Sequence, residues 1–462
     1  LLKLLPRNAT GQTITSYVSF IAGPHAAGQY IVLLDNHRSE MAADSAFRAV
    51  LRCVKCSACL NVCPVYQLLG GEEYSHVYMG GIGTLFTAWI HGLDKSKALA
   101  KLCLRCHRCE AYCATKIPIA DLITALAERL NRETGKTPWK RLAFDGVMGR
   151  PRLQQAAFKA ARTARKAVGT KDGFARRLPA WMKKYDRFRA LPSPAAVPFT
   201  KLFRKEFPPS SSASANAAKG PVTIYGGCLI EHFYPEIGMA AARVLAKLGY
   251  AVKLAPGLCC GFPPSNGGFR MASGRAFGAF LRKMEIDGPV VTLCPTCTTM
   301  LSKRGPEIDG SEKAKALAKA VIPFGRFIVE NELAAIRGLL KSAPVGRTVT
   351  YHDSCHHKNV LAAERASRAL VELSLGAGIA EMDESDACCG FAGSYTVDNP
   401  GISAELLADK LAAIEKTGAG IVAMDCPGCL LQIRGGCRSN GLSVRAIHTA
   451  ELLDEALAHS RR

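Results

Sequence analysis

Cysteine decides what this sequence can do. Eighteen of its nineteen cysteines fall into four dense groups. Cys53, Cys56, Cys59 and Cys63 form a Cys-x-x-Cys-x-x-Cys-x-x-x-Cys run closed by Pro64, and Cys103, Cys106, Cys109 and Cys113 repeat that spacing. A third group joins Cys228, the adjacent pair Cys259 and Cys260 before Gly261, and the pair Cys294 and Cys297. The fourth has the same layout in Cys355, Cys388 and Cys389 before Gly390, and Cys426 and Cys429. Only Cys437 stands outside, and it is expected to be a plain thiol. Soft thiolates at this density suit iron–sulfur clusters. A chain that binds so much of that chemistry moves electrons.

The first two groups match two-cluster ferredoxin spacing, in which three close cysteines hold one cluster and the fourth ligates the other. Cys53, Cys56, Cys59 and Cys113 are therefore assigned to one cubane 4Fe-4S cluster. Cys103, Cys106, Cys109 and Cys63 are assigned to a second. Two-residue gaps let a turning backbone aim three sulfurs at one cube face. Zinc is the competing ion, but it usually takes two separated Cys-x-x-Cys pairs, and two complete crossed sets argue against it. Arg105, His107 and Arg108 inside the second motif either raise its cluster potential or form a solvated face.

The other two groups supply five cysteines each, one more than zinc or a cubane needs. Adjacent cysteines are poor disulfide partners because the bridge strains the peptide between them. A thiolate shared by two irons would use the fifth sulfur. Cys259, Cys260, Cys388 and Cys389 are thus the candidates for a catalytic or terminal site. His352, His356 and His357 flank Cys355, either as a proton relay or donor to a cluster sulfur, or as ordinary loop histidines.

These ligands need elements to hold them. Tyr30 to Leu34 reads as a strand, and Ala42 to Arg52 as a helix leading into the first motif. A Gly-rich connection with Gly70-Gly71 and Gly80-Gly81 separates the ferredoxin-type motifs. After the second, Ile119, Leu122, Ile123, Leu126 and Leu130 share one helical face, which Gly135 ends. Ser210 to Ala218 is a Ser/Ala-rich linker. The last 240 or so residues are an internal repeat: Cys228 recurs at Cys355 after 127 positions, Cys259 at Cys388 after 129, and Cys294 at Cys426 after 132. Each half is expected to run from a strand (Val222 to Tyr225; Thr348 to Tyr351) through a helix (Glu236 to Leu248; Ala366 to Leu375) and the Cys-Cys-Gly loop. A second strand (Pro289 to Leu293; Gly420 to Met424) then ends at the Cys-x-x-Cys pair. Gly249 and Gly376 close the first helices at the common offset. The predicted fold is α/β plus an α-helical ferredoxin domain: a helical two-cluster domain followed by two repeated α/β Cys-Cys-Gly units with parallel sheets. Cysteines at strand C-termini lie where such sheets place ligands.

The chain has 462 residues, 48% hydrophobic and 21% charged, with a formal charge of +22. Bound clusters reduce that figure, since a cubane with four thiolates carries about −2. The excess is local. Lys140 to Lys205 holds eighteen Lys and Arg against three Asp, a net +15. Docking to an acidic redox partner or to an anionic membrane face accounts for it, as does a connector wrapping acidic patches of its own protein; no nucleic-acid fold accompanies it. No apolar run reaches the roughly 18 residues of a membrane span. No signal peptide is evident, and clustered thiols argue for a reducing compartment. The opening Leu5-Pro-Arg-Asn-Ala-Thr-Gly-Gln12 reads as the interior of a domain, so the chain is expected to be the C-terminal part of a longer protein.

The Cys-Cys-Gly layout resembles the cysteine-rich domain of heterodisulfide reductase B-type subunits, whose motifs hold noncubane four-iron clusters. Iron–sulfur subunits of glycolate oxidase and anaerobic glycerol-3-phosphate dehydrogenase share the repeat, often with a degenerate first copy. Both copies are complete here. The resemblance implies one or two noncubane clusters, with a relic, a cubane or zinc as the alternative at one copy. Leu5 to Gln12, Val32-Leu-Leu-Asp-Asn36 with Arg38-Ser39, Cys63-Pro-Val-Tyr66 with Gly70-Gly71, Gly81-Ile-Gly83 and Lys116-Ile-Pro118 resemble lactate-utilisation iron–sulfur proteins of the LutB type. Residues 220–460 resemble the LutA-type partner. The resemblance implies the end of a LUD-type domain at 1–45, a two-cluster ferredoxin-type domain at 46–138, a basic connector at 139–219, and Cys-Cys-Gly domains at 220–345 and 346–462. The implied function is the electron-transfer subunit of a complex oxidising lactate to pyruvate, cytoplasmic or at the inner face of the membrane. Its implied partners are a LUD-domain protein or flavoprotein subunit and a quinone pathway. No Gly-x-Gly-x-x-Gly flavin fingerprint follows a strand. The alternatives are heterodisulfide-type thiol chemistry, and an electron conduit for glycolate or glycerol-3-phosphate oxidation.

Overall fold

The computed structural model describes residue 30 and residues 32–177, 182, 186–208, 219–340 and 348–459. The Leu5 to Gln12 motif and the Ser210 to Ala218 linker lie outside the described residues. The chain forms two compact units. One comprises residues up to Cys103 with His107–Leu126, and the other Leu104–Cys106 with everything from Ala127 onward.

The first unit is helical. Its expected opening strand is not there: Tyr30 and residues 32–34 are exposed and carry no regular structure, and among the described residues no strand pairs with them. Strand ladder groups need such a partner. The expected helix from Ala42 to Arg52 is two pieces, an α-helix Arg38–Ala43 and a 3₁₀ turn Arg48–Arg52. Asp44 breaks it. Its carboxylate accepts from the N–H groups of Ala46 at 2.9 Å and Phe47 at 3.3 Å, a local bond that competes with the helix. The Gly-rich connection folds into helices Pro64–Glu73, kinked at Gly70, and Gly80–Ile90. Leu93–Leu102 follows. Val50, Val65, Leu85 and Ile123 form the unit's interior, where Phe47 meets Trp89 at 4.4 Å. Helix Ile119–Glu133 begins in this unit and continues past its end at Leu126, and all five residues of the predicted apolar face are buried. Each such side chain contributes roughly 1.5–3 kcal/mol.

The second unit carries the sheets. A short antiparallel pair, β1 (Thr170–Lys171) and β2 (Phe174–Ala175), lies in the basic segment. The first half then builds β3 (Lys219–Tyr225), β4 (Tyr250–Leu254), β5 (Val290–Thr292) and β6 (Val321–Pro323) into a parallel sheet of order β4-β3-β5-β6. The second half builds β7 (Val349–Tyr351), β8 (Ile421–Met424) and β9 (Arg445–His448) into a parallel sheet of order β7-β8-β9. The copies differ at one edge. Where the first has β4, the second has an irregular stretch joined to β7 by the bond from Ala380 N–H to Val349 O at 2.9 Å. One apolar core spans both halves, from Phe199 and Phe203 in helix Phe199–Glu206 through Ile237, Val291 and Ile328 to Val422, Ile433 and Leu453. The two Cys-Cys-Gly units therefore fold as one body. Among the described residues no helix is long and apolar enough to cross a membrane.

Candidate iron–sulfur sites

The two ferredoxin-type motifs share an unusual backbone. Lys55 and Ser57 have φ of 55° and 62°, and at the matching positions Arg105 and His107 have φ of 54° and 59°. A non-glycine residue in this region costs on the order of 1–3 kcal/mol and persists where surroundings demand it. The left-handed residues curl each Cys-x-x-Cys-x-x-Cys loop around a centre and open the short helices Ala58–Asn61 and Arg108–Ala111. Cys53, Cys56, Cys59 and Cys113 line one cavity of about 230 Å³, walled by Ile82, Phe86, Ile117 and Ile119. The crossed set predicted for the first cubane is thus brought together. Burial pushes the Cys59 thiol up to about 12. Burial works against the Cys113 thiolate too, yet hydrogen bonds from the Thr115 hydroxyl and the N–H groups of Ile117, Thr115 and Lys116 hold it below the ordinary value. Those donors suit a sulfur that stays anionic. His107 is not on a solvated face: it is buried, its Nδ1 2.8 Å from Glu110 Oε2, and Glu110 Oε1 accepts from Ala120 N–H at 2.6 Å.

In the second unit, strand ends deliver the cysteines. Cys228 follows β3, Cys259 and Cys260 follow β4, and Cys294 follows β5; Cys355 follows β7 and Cys426 follows β8. Cys294 and Cys426 precede helices opened by Pro295 and Pro427. The ten thiols form one continuous array. Hydrogen-bonding contacts run from Cys228 to Cys259, Cys260, Cys297 and Cys294, cross to Cys426, and continue through Cys429, Cys389 and Cys388 to Cys355. Cys260 and Cys297 are 3.5 Å apart. The sequence repeat predicted two five-cysteine sets but not that Cys294 and Cys426 would meet. Cys437 lies outside the array, buried in the core, its thiol raised to about 11 by burial.

The Cys-Cys-Gly loops are duplicates. Gly261 N–H lies 3.4 Å from Cys259 Sγ and Gly390 N–H 3.4 Å from Cys388 Sγ. Their carbonyls accept from Ser273 and Ser403 hydroxyls, each at 2.9 Å. These serines sit on helices Arg270–Lys283 and Pro400–Lys416, and no cysteine pattern pointed to them.

The basic segment is part of the site walls rather than a plain connector. Helix Pro151–Val168 brings buried Gln154 to the side of Cys259, where its amide favours the thiolate. Arg189 is 5% exposed, faces Cys389 electrostatically, and bonds Gln432 and, at 3.0 Å, Thr396. Gln432 in turn donates to Ser403 at 3.1 Å. High local charge left an outward docking surface and a connector wrapping its own protein both open; the tertiary fold turns part of the segment inward.

The two Cys-Cys-Gly sites differ chemically. Beside the first stand Tyr225, its hydroxyl donated to Leu258 O at 2.8 Å, and buried Phe280. At the matching positions the second has His352 and Lys410, both buried. Lys410 Nζ donates to Glu384 O at 2.8 Å. None of the three flanking histidines is an exposed loop residue. His352 Nδ1 is 3.2 Å from Ser385 O, His356 Nδ1 3.6 Å from Cys355 Sγ, and His357 Nε2 3.0 Å from Ser367 Oγ. Burial pushes His352 down to about 3, so its imidazole is neutral. Asp353 beside it takes a two-pronged bond from Arg368, at 2.6 and 3.1 Å, and one from Ser385 Oγ at 2.7 Å.

Residues 222–302 and 349–434 match the cysteine-rich domain, and residues 49–117 match the 4Fe-4S dicluster domain. Lactate utilization protein A of Geobacillus sp. (strain WCH70) is 31% identical over 50% of this chain and 98% of its own length. The chain belongs to its family of cysteine-rich-domain proteins. The "Probable glycolate oxidase iron-sulfur subunit" of Bacillus subtilis (strain 168) is 28% identical over 89% of this chain and 94% of its own. Lactate utilization protein B of Bacillus licheniformis is 32% identical over 45% of this chain, and the match spans 46% of that relative. The resemblance read from the motifs therefore holds, and the thiols of this family member are those of an iron–sulfur protein.

Proposed function

We propose that this chain is the iron–sulfur electron-transfer subunit of a complex that oxidises lactate to pyruvate. The observation that carries the reading is the continuous ten-thiol array in a chain that also gathers Cys53, Cys56, Cys59 and Cys113 around one cavity. When bound, iron–sulfur clusters supply one-electron storage and transfer. Cys53, Cys56, Cys59 and Cys113 would hold one cubane, and Cys103, Cys106, Cys109 and Cys63 another. The five-cysteine sets ending at Cys297 and Cys429 would hold noncubane clusters, with Cys259, Cys260, Cys388 and Cys389 nearest the terminal chemistry. The donor set fits: soft sulfurs, seven of the ten on buried residues, each Cys-Cys-Gly loop supplied with a backbone N–H. Oxidising lactate releases two electrons and two protons, so a partner must take the hydride; a LUD-domain or flavin-bearing subunit fills that role. A cleft bordered by Arg150, Arg152, Arg270, Arg275, Arg282 and Lys283 offers an acidic partner its docking face, and partner binding should weaken as salt screens it.

Anaerobic lactate added to the native complex should bleach the visible cluster absorption, and pyruvate should restore it. Bleaching by neither enantiomer, with dithionite still effective, overturns the lactate reading. Bleaching by glycolate alone favours a second reading, an electron conduit for glycolate oxidation, which the 28% identity to the Bacillus subtilis protein supports. Separately, Cys113→Ser should lower iron by about four atoms per chain, measured colorimetrically on folded protein; unchanged iron would remove Cys113 from the ligand set.

A further inference from the structure

One ring nitrogen of His352 and the sulfurs of Cys389 and Cys429 all lie within 4.8 Å of one another. All three residues are buried, His352 at 1% exposure. Nδ1 faces the Ser385 carbonyl at 3.2 Å, whereas among the described residues Nε2 has no hydrogen-bond partner. Burying an unpaired nitrogen costs about 1–3 kcal/mol, so Nε2, on a ring that stands beside two thiols, calls for a partner.

The Ser385 carbonyl decides which tautomer is present. It also accepts from Asp353 N–H at 3.1 Å and Lys410 Nζ at 3.3 Å, and its loop is held by the Ser385 hydroxyl on Asp353. A carbonyl oxygen only accepts, so the ring proton sits on Nδ1 and Nε2 presents a lone pair. The opposite tautomer would set two lone pairs against each other at 3.2 Å. A histidine that donates one N–H to a backbone carbonyl and keeps its other nitrogen unprotonated, on a ring beside two thiols, has the arrangement of a metal ligand.

We propose that His352 is a nitrogen ligand to an iron of the cluster held by the second Cys-Cys-Gly site, making that site one of five thiolates and one imidazole. The proposal rests on the reading that a cluster occupies this site. Ligation uses the existing lone pair, and the Nδ1 proton stays on Ser385. The first site has no counterpart: Tyr225 stands in the matching position with its hydroxyl committed to Leu258. The two sites are therefore of different ligand class despite identical cysteine patterns.

Pulsed EPR on anaerobically prepared full chain, in the paramagnetic state of the second-site cluster, tests this. Protein grown with ¹⁵N-histidine should show a strongly coupled histidine nitrogen that unlabelled protein shows as ¹⁴N. His352→Leu should abolish the coupling, and His356→Leu should keep it. The labelling result needs no variant, so it stands even if His352→Leu loses iron. A second-site cluster without histidine coupling overturns the proposal alone, as does coupling that survives in His352→Leu. If replacing Cys388, Cys389, Cys426 and Cys429 together by Ser leaves iron content at the wild-type level, no cluster occupies the site, and the proposal falls together with the reading beneath it.

Discussion

Gly390→Ala should destroy the second Cys-Cys-Gly site while leaving the rest of the chain folded. Gly390 has φ of +81°, and an added Cβ would lie 2.7 Å from Ser403 O and 3.1 Å from Leu406 Cβ. The obstacle is helix backbone, which cannot swing aside as a side-chain tip can. The left-handed conformation costs an alanine roughly 1–2 kcal/mol. Forcing a methyl into a packed contact adds about 1–3 kcal/mol. The loop must move instead, and with it go the Gly390 N–H on Cys388 and the Ser403 hydrogen bond. Iron per chain should fall by one cluster, and the thermal midpoint should drop. Gly261→Ala should do the same to the first site, where the added Cβ would meet Ser273 O at 2.8 Å. Gly401→Ala is the contrast. It lies in the first turn of helix Pro400–Lys416 with nothing among the described residues within 4 Å of its Cβ direction, and replacing it should leave iron unchanged and not destabilise the fold, since the interior-helix gain of about 0.5–1 kcal/mol is its upper bound. Full iron and wild-type melting in Gly390→Ala would show that the loop does not position its cysteines in this way.

Asp353→Ala should be nearly as damaging, through charge rather than shape. The carboxylate side chain is 3% exposed and Arg368 is 21% exposed. Removing one partner of a buried pair costs about 3–5 kcal/mol because the other charge is left uncompensated. Arg368 keeps Glu381 at 2.7 Å, so the loss should sit near the lower end of that range. The pH dependence has a definite sign. Burial alone would raise the Asp353 pKa; hydrogen bonds from Arg368 and Ser385 bring it below its ordinary 3.8. A depressed folded pKa means the contribution is complete above the unfolded value and is lost as pH falls through the folded one. Urea unfolding should therefore show a wide gap between wild type and Asp353→Ala at pH 7 that narrows as the pH drops below 3.8. A gap that stays constant into acid would mean the pair contributes nothing through its charge. Because Asp353 N–H and the Ser385 hydroxyl also set the carbonyl facing His352, the variant should loosen the second site as well.

The cysteine spacing alone pointed to iron–sulfur chemistry and made visible the four cysteine groups and the duplication of the C-terminal half. Ligand spacing is a local property: two-residue gaps constrain which sulfurs can share a centre, and a repeat offset near 127–132 is visible without any fold. The apolar face from Ile119 to Leu130 was equally legible, since its period is set by the helix itself. What failed was of two kinds. Ala42 to Arg52 looked helical, but a single Asp44 side chain outcompeted the helix for two backbone donors. Strands β4, β6 and β9 went unseen because three to five residues carry too little alternation to separate from loops.

The contacts between distant parts of the chain were decided only in three dimensions. Nothing in the spacing says that Cys294 meets Cys426, that Arg189 turns inward towards Cys389, or that Ser273 and Ser403 clamp the two glycine carbonyls. Nor does it say that Tyr225 and His352, aligned by the repeat, are committed to different partners. Sequence spacing specifies which atoms can bind iron, because that depends on side-chain type and a few intervening residues. Which neighbours tune each site depends on packing between segments up to 243 positions apart, as with Arg189 and Gln432, and such pairs are chosen by the shape of a shared core.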